Sequence, residues 1–334
     1  MVPRAELKTA RLMLRPVVAE DEEAVVAALD DLAVSGWLAV VPYPYEGKDF
    51  QYFLTEIARP GVAFAVCDAE GLAGIMSIED EILGYWFAPR CHGRGYATEA
   101  GRAVVAGQFA TSPVDVISGY FEGNLRSANV LRKRGFVETG RDMRHCRAMA
   151  TDRPHVNVGL TLQGFKAALP VEATSARLTY RSLQPVDFTG LHDIGSNWEV
   201  VRQLGSWPWP PEPDFTASRA APYLGAGFVW GVFLGGDMIG TVSVTGELLG
   251  YSVKKSYWRQ GFGEEAVRTA LGWAFQRVGQ VTASVWVDNA ASLGLLRKLG
   301  FAEIGRSVEM SKARNVEVGL VHLVLDRDLW SPSP

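Results

Sequence analysis

The feature that most limits what this chain can fold into is that it is written twice. At a displacement of 165 or 166 residues, Ala10–Pro16 (ARLMLRP) faces Ala176–Ser182 (ARLTYRS), and Leu83–Phe87 (LGYWF) faces Leu249–Val253 (LGYSV). Gly93–Ala100 (GRGYATEA) faces Arg259–Ala266 (RQGFGEEA). Asn124–Arg141 (NLRSANVLRKRGFVETGR) faces Asn289–Arg306 (NAASLGLLRKLGFAEIGR), and the closing segments Val156–Phe165 and Val321–Trp330 also align. Solenoid units repeat every ~20–50 residues, so a repeat this long is a whole domain. Two similar domains are predicted, 1–166 and 175–334. A linker over 167–174 joins them within KAALPVEAT, where Pro170 and small residues interrupt regular structure.

A chain of 334 residues gives each domain enough length to bury its own core. The formal charge is −4 and neither half is basic, so a nucleic-acid partner is not expected. Cys67, Cys91 and Cys146 lack metal-ligand spacing and suit a reducing compartment better than a disulfide framework; no metal site is expected. The stretch MVPRAELKTA has no apolar signal region, and no run reaches the ~18 apolar residues of a membrane span. A cytoplasmic protein with no membrane partner is the expectation.

Within the first copy, RLMLRP alternates as a strand, and an amphipathic helix follows with Glu20 and Asp21 at its start. VAFAVCD, AGIMSIE and ILGYWFAP read as successive strands. A helix is predicted from Ala97, with a cleaner apolar stripe in the second copy at Ala266, Val267, Ala270, Leu271, Ala274 and Phe275. VDVISGYF and VTASVWV are strands. A helix over Ser127–Arg134 is expected to end on Gly135 as a left-handed cap. Each unit is therefore α/β: a meander of strands, then strand–loop–helix, strand–helix and closing strands.

HGRGYATEA follows a strand and opens a helix, the setting in which free backbone amides and the helix dipole hold a phosphate. A Gly-x-Gly turn by itself is more often structural. A Rossmann loop is excluded because the stretch lies after several strands, and a Walker loop because no Gly-Lys-Ser/Thr follows.

ARLMLRP, LGYWFAP, HGRGYATEA and NLRSANVLRKRGF together resemble the GNAT superfamily of N-acetyltransferases, in its branch similar to the ribosomal-protein-alanine acetyltransferases. The resemblance spans nearly all of both halves. It implies an α+β fold in each unit: a mixed, mostly antiparallel sheet of six or seven strands, splayed between the fourth and fifth, with acetyl-CoA in the gap. It implies a pyrophosphate loop over His92, Gly93, Arg94, Gly95, Tyr96, Ala97 and Thr98, matched by Gln260, Gly261, Phe262 and Gly263. His92 stands where the second copy has Trp258, the residue common in this branch, and Arg259 stands where the first has Gly93. Phe87 and Ala88, with Val253 and Lys254, are implied to hydrogen-bond the pantetheine arm as an added strand would.

The implied reaction is direct attack of an amine on the thioester in a ternary complex, which needs a proton donor near sulfur. The tyrosine many members carry falls on Leu131 and Leu296, which cannot donate. The Asn-x-x-Ser motif makes Ser127 and Ser292 the implied donors and Asn124 and Asn289 cofactor ligands; on pattern alone Ser127 reads equally as a helix N-cap. The glutamate this branch carries two residues before Gly-Tyr is replaced by Ile82 and Leu248, so Glu81 and Glu247 are weak base candidates on the opposite face of the strand. Glu79, Tyr85, Tyr251 or solvent are other candidates. Trp37, Tyr43, Tyr45, Trp207 and Trp209, with Tyr85 and Tyr251, are candidate walls of an acceptor pocket, and the aromatics beside prolines could equally pack on an inter-domain or dimer surface. The acceptor is a small-molecule or protein amine, in a monomer imitating a dimer or in a homodimer. A non-catalytic acyl-CoA sensor is the rival expectation.

Overall fold

A computed structural model describes residues 6–331 and divides into two compact units, up to Leu169 and from Pro170. In the first unit a two-residue strand β1 (Leu7–Lys8) precedes β2 (Met13–Pro16). Helices α1 (Glu22–Leu29), α2 (Leu32–Ser35) and α3 (Gly47–Tyr52) lead to β3 (Ala63–Asp68), β4 (Gly71–Glu79) and β5 (Ile82–Phe87). Then come α4 (Tyr96–Thr111), β6 (Val116–Phe121), α5 (Leu125–Arg132), β7 (Val137–Cys146), β8 (Thr151–Leu160) and α6 (Leu162–Ala167). The sheet order is β1-β2-β3-β4-β5-β6-β8-β7.

The second unit repeats this with β9 (Ala173–Thr174), β10 (Thr179–Ser182), α7 (Phe188–Gly195), α8 (Trp198–Val201) and α9 (Pro213–Arg219). It continues through β11 (Gly227–Leu234), β12 (Asp237–Thr245), β13 (Leu248–Val253), α10 (Phe262–Ala274), β14 (Gln280–Trp286), α11 (Ala290–Lys298), β15 (Ala302–Ser311) and β16 (Val316–Asp326). Its order, β15-β16-β14-β13-β12-β11-β10-β9, is the same topology. Each sheet has eight strands rather than six or seven, because β1 and β9 add a short strand at one edge. That strand uses part of the stretch read as linker: Ala173 and Thr174 pair with β10, and Ala167 closes α6.

Both faces of each sheet are covered, which explains why β3 is buried over four consecutive residues, Ala63–Val66. Alternation sends Ala63 and Ala65 into a cluster with Val25, Leu29 and Phe50 of α1 and α3. In the second unit Trp230, Val232 and Val242 pack with Ala266, Val267, Ala270 and Leu271 of α10, while Phe233 and Met238 pack with Leu191 and Ile194 of α7. The helix at the Asn-x-x-Ser motif starts at Leu125, two residues before Ser127, and Gly135 at φ 90° ends it as expected.

The aligned arginines of ARLMLRP and ARLTYRS hold the first helical turn. Arg15 pairs with Asp21 at 2.6 Å and Arg181 with Asp187 at 2.7 Å, and each aspartate also accepts a backbone amide, from Val18 and Gln184. Arg181 and Asp187 are both under 10% exposed, at 8% and 5%. Asp187→Ala is expected to destabilise the second unit by about 3–5 kcal/mol in urea unfolding, since it strands a buried guanidinium. Burial of Asp21 opposes its ionisation, but the Arg15 and Val18 hydrogen bonds outweigh it and hold the carboxyl below its ordinary value. Its contribution is present above pH ~4 and is lost as the pH falls below that, so acid titration of wild type against Asp21→Asn should show a shrinking stability gap.

Candidate active site

The site begins where two parallel strands part. β5 and β6 pair only at Ile82 and Ile117, where the Ile117 amide donates to the Glu81 carbonyl at 2.9 Å. One step on, the Ser118 hydroxyl donates to the Leu83 carbonyl at 2.8 Å in place of a backbone amide. On the far side of β5 the Ala88 amide donates to the Ala73 carbonyl at 2.8 Å. Antiparallel alternation then turns the backbone groups of Tyr85 and Phe87 toward the gap. In the second unit β13 and β14 pair at Leu248–Thr282 and Leu249–Ala283, and the Lys254 amide donates to the Ile239 carbonyl at 2.8 Å. Tyr251 and Val253 therefore line the same open edge. Ala88 and Lys254 do not: their amides are spent on β4 and β12, and their carbonyls accept from Cys91 and Tyr257. The Lys254 ammonium is paired with Asp193 at 2.7 Å.

His92 and Trp258 do one job with different rings. His92 Nε2 lies 2.9 Å from the Phe87 carbonyl, and Trp258 Nε1 donates to the Val253 carbonyl at 2.7 Å. Arg126 donates to His92 Nδ1 at 2.9 Å, which leaves the ring proton on Nε2. Either side chain closes the last carbonyl of the open strand. What stays unpartnered on the edge, among the described residues, is the amide of Phe87 or Val253 and both backbone groups of Tyr85 or Tyr251.

The loop after this strand has one backbone shape in both units. Gly93 and Gly95 have φ 78°, and Arg259 and Gly261 have φ 60° and 81°. Arg259 thus adopts the left-handed conformation that glycine takes at no steric cost, at a penalty of about 1–2 kcal/mol. Gly95 and Gly261 are the N-caps of α4 and α10, and the amides of Tyr96, Ala97, Phe262 and Gly263 have no acceptor among the described residues. An arginine in the turn between the first two strands sets this geometry. Arg11 donates to Glu99 of α4 at 2.8 Å and to the Arg94 carbonyl at 2.9 Å, and packs over the Tyr96 ring. Arg177 does the same to Glu265 at 2.7 Å, to the Gln260 carbonyl at 3.0 Å and over the Phe262 ring. This clamp was not read from the sequence, although Arg11, Arg177, Glu99 and Glu265 hold aligned positions in the two copies. The Arg94 side chain turns to Glu70 at 3.2 Å, and the Gln260 side chain donates to the Ser256 carbonyl at 2.9 Å. Gly93 and Thr98 sit on the loop and first helical turn without a side-chain contact of note.

Tyr85 and Tyr251, assigned above to an acceptor pocket, instead meet the motif serines. Tyr85 Oη lies 2.8 Å from Ser127 Oγ, and Tyr251 Oη 2.8 Å from Ser292 Oγ. Asn124 and Asn289, not the serines, are the helix caps: their carboxamide oxygens accept the Ser127 and Ser292 amides at 3.1 Å. The cap leaves each serine hydroxyl to the tyrosine, and the asparagine NH₂ groups have no partner among the described residues. Burial pushes both tyrosine hydroxyls above their ordinary pKa, with the serine hydrogen bonds opposing, so both remain protonated donors at neutral pH.

Glu81 and Glu247 are not brought to this pair. They occupy the hairpin turns at the closed end of the gap, about 13 Å of extended strand from the tyrosines. Glu81 has φ 64°, and Glu247 accepts from Gln280 at 2.8 Å. Trp37 lies beside Gly123, the residue before Asn124, with the Arg153 guanidinium 4.7 Å from its ring centre. Tyr43 is exposed. Trp207 packs edge-on against Phe215 at 5.2 Å and against Gly195, so it serves a local core, while Trp209 rests on Trp198 at 5.3 Å.

The sheet thus splits at one parallel pair, with a glycine-capped loop on one lip and an Asn-capped helix on the other. The chain belongs to the GNAT acetyltransferase family: a model described as an acetyltransferase (GNAT) domain matches residues 11–137 and again 177–302. A curated relative, the N-acetyltransferase YoaA of Bacillus subtilis (strain 168), is 36% identical over 59 residues, 17% of this chain and 33% of the relative. That match thus spans about a third of the relative's length. Among solved structures, a ribosomal L7/L12 alpha-N-protein acetyltransferase in complex with CoA is 16% identical, covering 48% of this chain and 99% of its own at a TM-score of 0.41. The ribosomal-protein-S5-alanine acetyltransferase of Vibrio fischeri is 19% identical, with 49% and 100% covered and a TM-score of 0.40.

The equal loop shapes predict unequal substitutions. Arg259→Gly is expected to stabilise the second unit by up to about 1 kcal/mol, the left-handed penalty less the entropy of glycine. Gly95→Ala is expected to cost about 1–2 kcal/mol, with its methyl 3.5 Å from the Arg11 guanidinium. Chemical unfolding of the two variants checks both signs.

Proposed function

We propose that both units are acetyl-CoA-dependent N-acetyltransferase domains that pass an acetyl group to a primary amine. The acceptor would be a small molecule, an amino acid, an antibiotic or a protein N-terminus. One observation carries the reading: the open strand edge, the free amides of the loop and the tyrosine–serine pair all lie at the same, opened end of the sheet. The edge at Tyr85–Phe87 offers donors and an acceptor in strand spacing, which fits an amide-bearing arm laid alongside it. The loop amides at the α4 N-terminus fit the pyrophosphate of CoA. Residues Asn124 and Ser127 face the same gap from its other side.

Acetyl-CoA, when bound, supplies the activated acyl group on sulfur. The transfer joins the amine nitrogen to the acyl carbon, breaks the carbon–sulfur bond and requires a proton for the departing sulfur. Ser127 and Ser292 are the groups placed to give it, each resupplied by the tyrosine hydroxyl 2.8 Å away. No carboxylate or histidine contacts either pair among the described residues, so the amine proton passes to water. The first unit is the stronger anion site. It has Thr98 in the first turn of α4, where the second has Glu264, a carboxylate shared between Arg268 and Lys298 at 3.1 and 2.6 Å.

Ser127→Ala and Ser292→Ala, made separately, are each expected to lower thiol release from their own unit by about 10²-fold. Thiol release is followed over a panel of amines, with acetyl-CoA affinity measured in parallel. Tight acetyl-CoA binding with no turnover on any amine would favour the sensor reading instead. No binding at all would sink both.

A further inference from the structure

Among the described residues, the buried interior of the first unit holds a charge with nothing to pair it. Arg134, just past α5, is 3% exposed, and Nε, Nη1 and Nη2 all lack a hydrogen-bond partner. The guanidinium lies against α4 at Gly101, where any Cβ would overlap it. Glycine and arginine there form a matched pair: the missing side chain on α4 makes the hollow that the cation fills. The second unit has the ordinary apolar solution in the same place. Val267 aligns with Gly101 and Leu299 with Arg134, 0% and 6% exposed. An unpaired buried cation is strongly unfavourable, and an apolar pair is available to this fold, as the second unit shows. In the second unit the Tyr251 ring lies 3.9 Å from a Cβ on Gly263, one helical turn before Val267; by the same alignment Tyr85, bonded to Ser127, stands about one turn of α4 from Gly101 and the cation against it. Tyr85 of β5 and Arg102 of α4 are the titratable groups that act on it electrostatically, and Arg102, a like charge, only raises the need for an anion. The neighbourhood adds to the contrast, since Thr98 replaces the carboxylate that Glu264 supplies in the second unit.

We propose that Arg134 is a positioning residue whose buried, uncompensated guanidinium stabilises negative charge on the cofactor sulfur through the Tyr85–Ser127 pair in the first unit, and that the second unit has no such support. The proposal rests on the acyl-CoA reading given above. It makes the two fused sites chemically unequal: the first favours a thiolate, and the second must rely on its hydroxyl donor alone. A preorganised charge of this kind is useful because it is already in place when charge develops.

The test is equilibrium binding of CoA and of desulfo-CoA, which carries hydrogen in place of the thiol, to the full chain between pH 7 and 9. An ordinary thiol ionises across that window, at about 8.5. Arg134, which burial pushes down to about 10, keeps its charge through it. In the wild type, CoA affinity at the first site is expected to rise about tenfold over desulfo-CoA as the pH increases. Gly101→Val/Arg134→Leu, which installs the pair the second unit already packs, should abolish that rise while desulfo-CoA affinity stays within about twofold. Arg134→Lys, which keeps the charge in the native hollow, should retain it. A rise that persists in the double variant, or equal weakening of both ligands at every pH, would overturn the proposal and leave Arg134 a space-filling residue. Failure of wild type to bind either ligand would overturn the acyl-CoA reading itself.

Discussion

Everything in this molecule follows from two parallel strands that stop pairing after one or two residues. A parallel ladder broken inside a sheet exposes amides and carbonyls that must find partners or remain available. Here the loss is managed group by group. Ser118 takes the Leu83 carbonyl, and His92 or Trp258 takes the last carbonyl of the strand. The groups left over are those of Tyr85 and Phe87, or Tyr251 and Val253. The gap is thus strand-shaped with defined hydrogen-bonding chemistry, and the glycine-capped loop and the Asn-capped helix stand at its rim because they follow the two strands that form it.

The two copies show which features the backbone needs and which it tolerates. Arg259 holds a left-handed conformation that Gly93 holds without strain, and the loop does not change shape. Histidine replaces tryptophan at the strand end, and the carbonyl is still closed. The arginine–glutamate clamp, the Arg–Asp pair and the Tyr–Ser pair are retained in both. Differences gather instead between α4 and α5 in the first unit and their counterparts in the second, where Gly101, Arg134 and Thr98 face Val267, Leu299 and Glu264. Conformation is shared, and electrostatics is where the units part.

Much of this was legible beforehand. The strand alternation in RLMLRP, the helix stripe of α10 and the left-handed cap at Gly135 are local patterns, set by side-chain period and backbone sterics within a few residues. The splay came from family resemblance and agrees with the geometry found. Less was legible where the partner lies far along the chain. Ser127 read as a possible cap because a cap is a local role; its hydroxyl is in fact claimed by Tyr85, 42 residues away. Glu81 stood near the right strand in sequence but at the wrong end of the gap in space. Trp207 looked like a pocket wall and proved to be packed against Phe215 and Gly195.

The sequence by itself determined that there are two domains of one kind, where their strands and helices fall, and which glycine-bearing loop leads from a strand into a helix. These depend on repetition, periodicity and turn chemistry, all written in neighbouring residues. Only the tertiary structure decided which backbone groups the splayed strand leaves free, that tyrosine and serine form a pair, and that Arg134 is buried without a counter-charge among the described residues. Those facts depend on what folding brings together across α4, α5 and β5, and on the desolvation that follows, which no local pattern encodes.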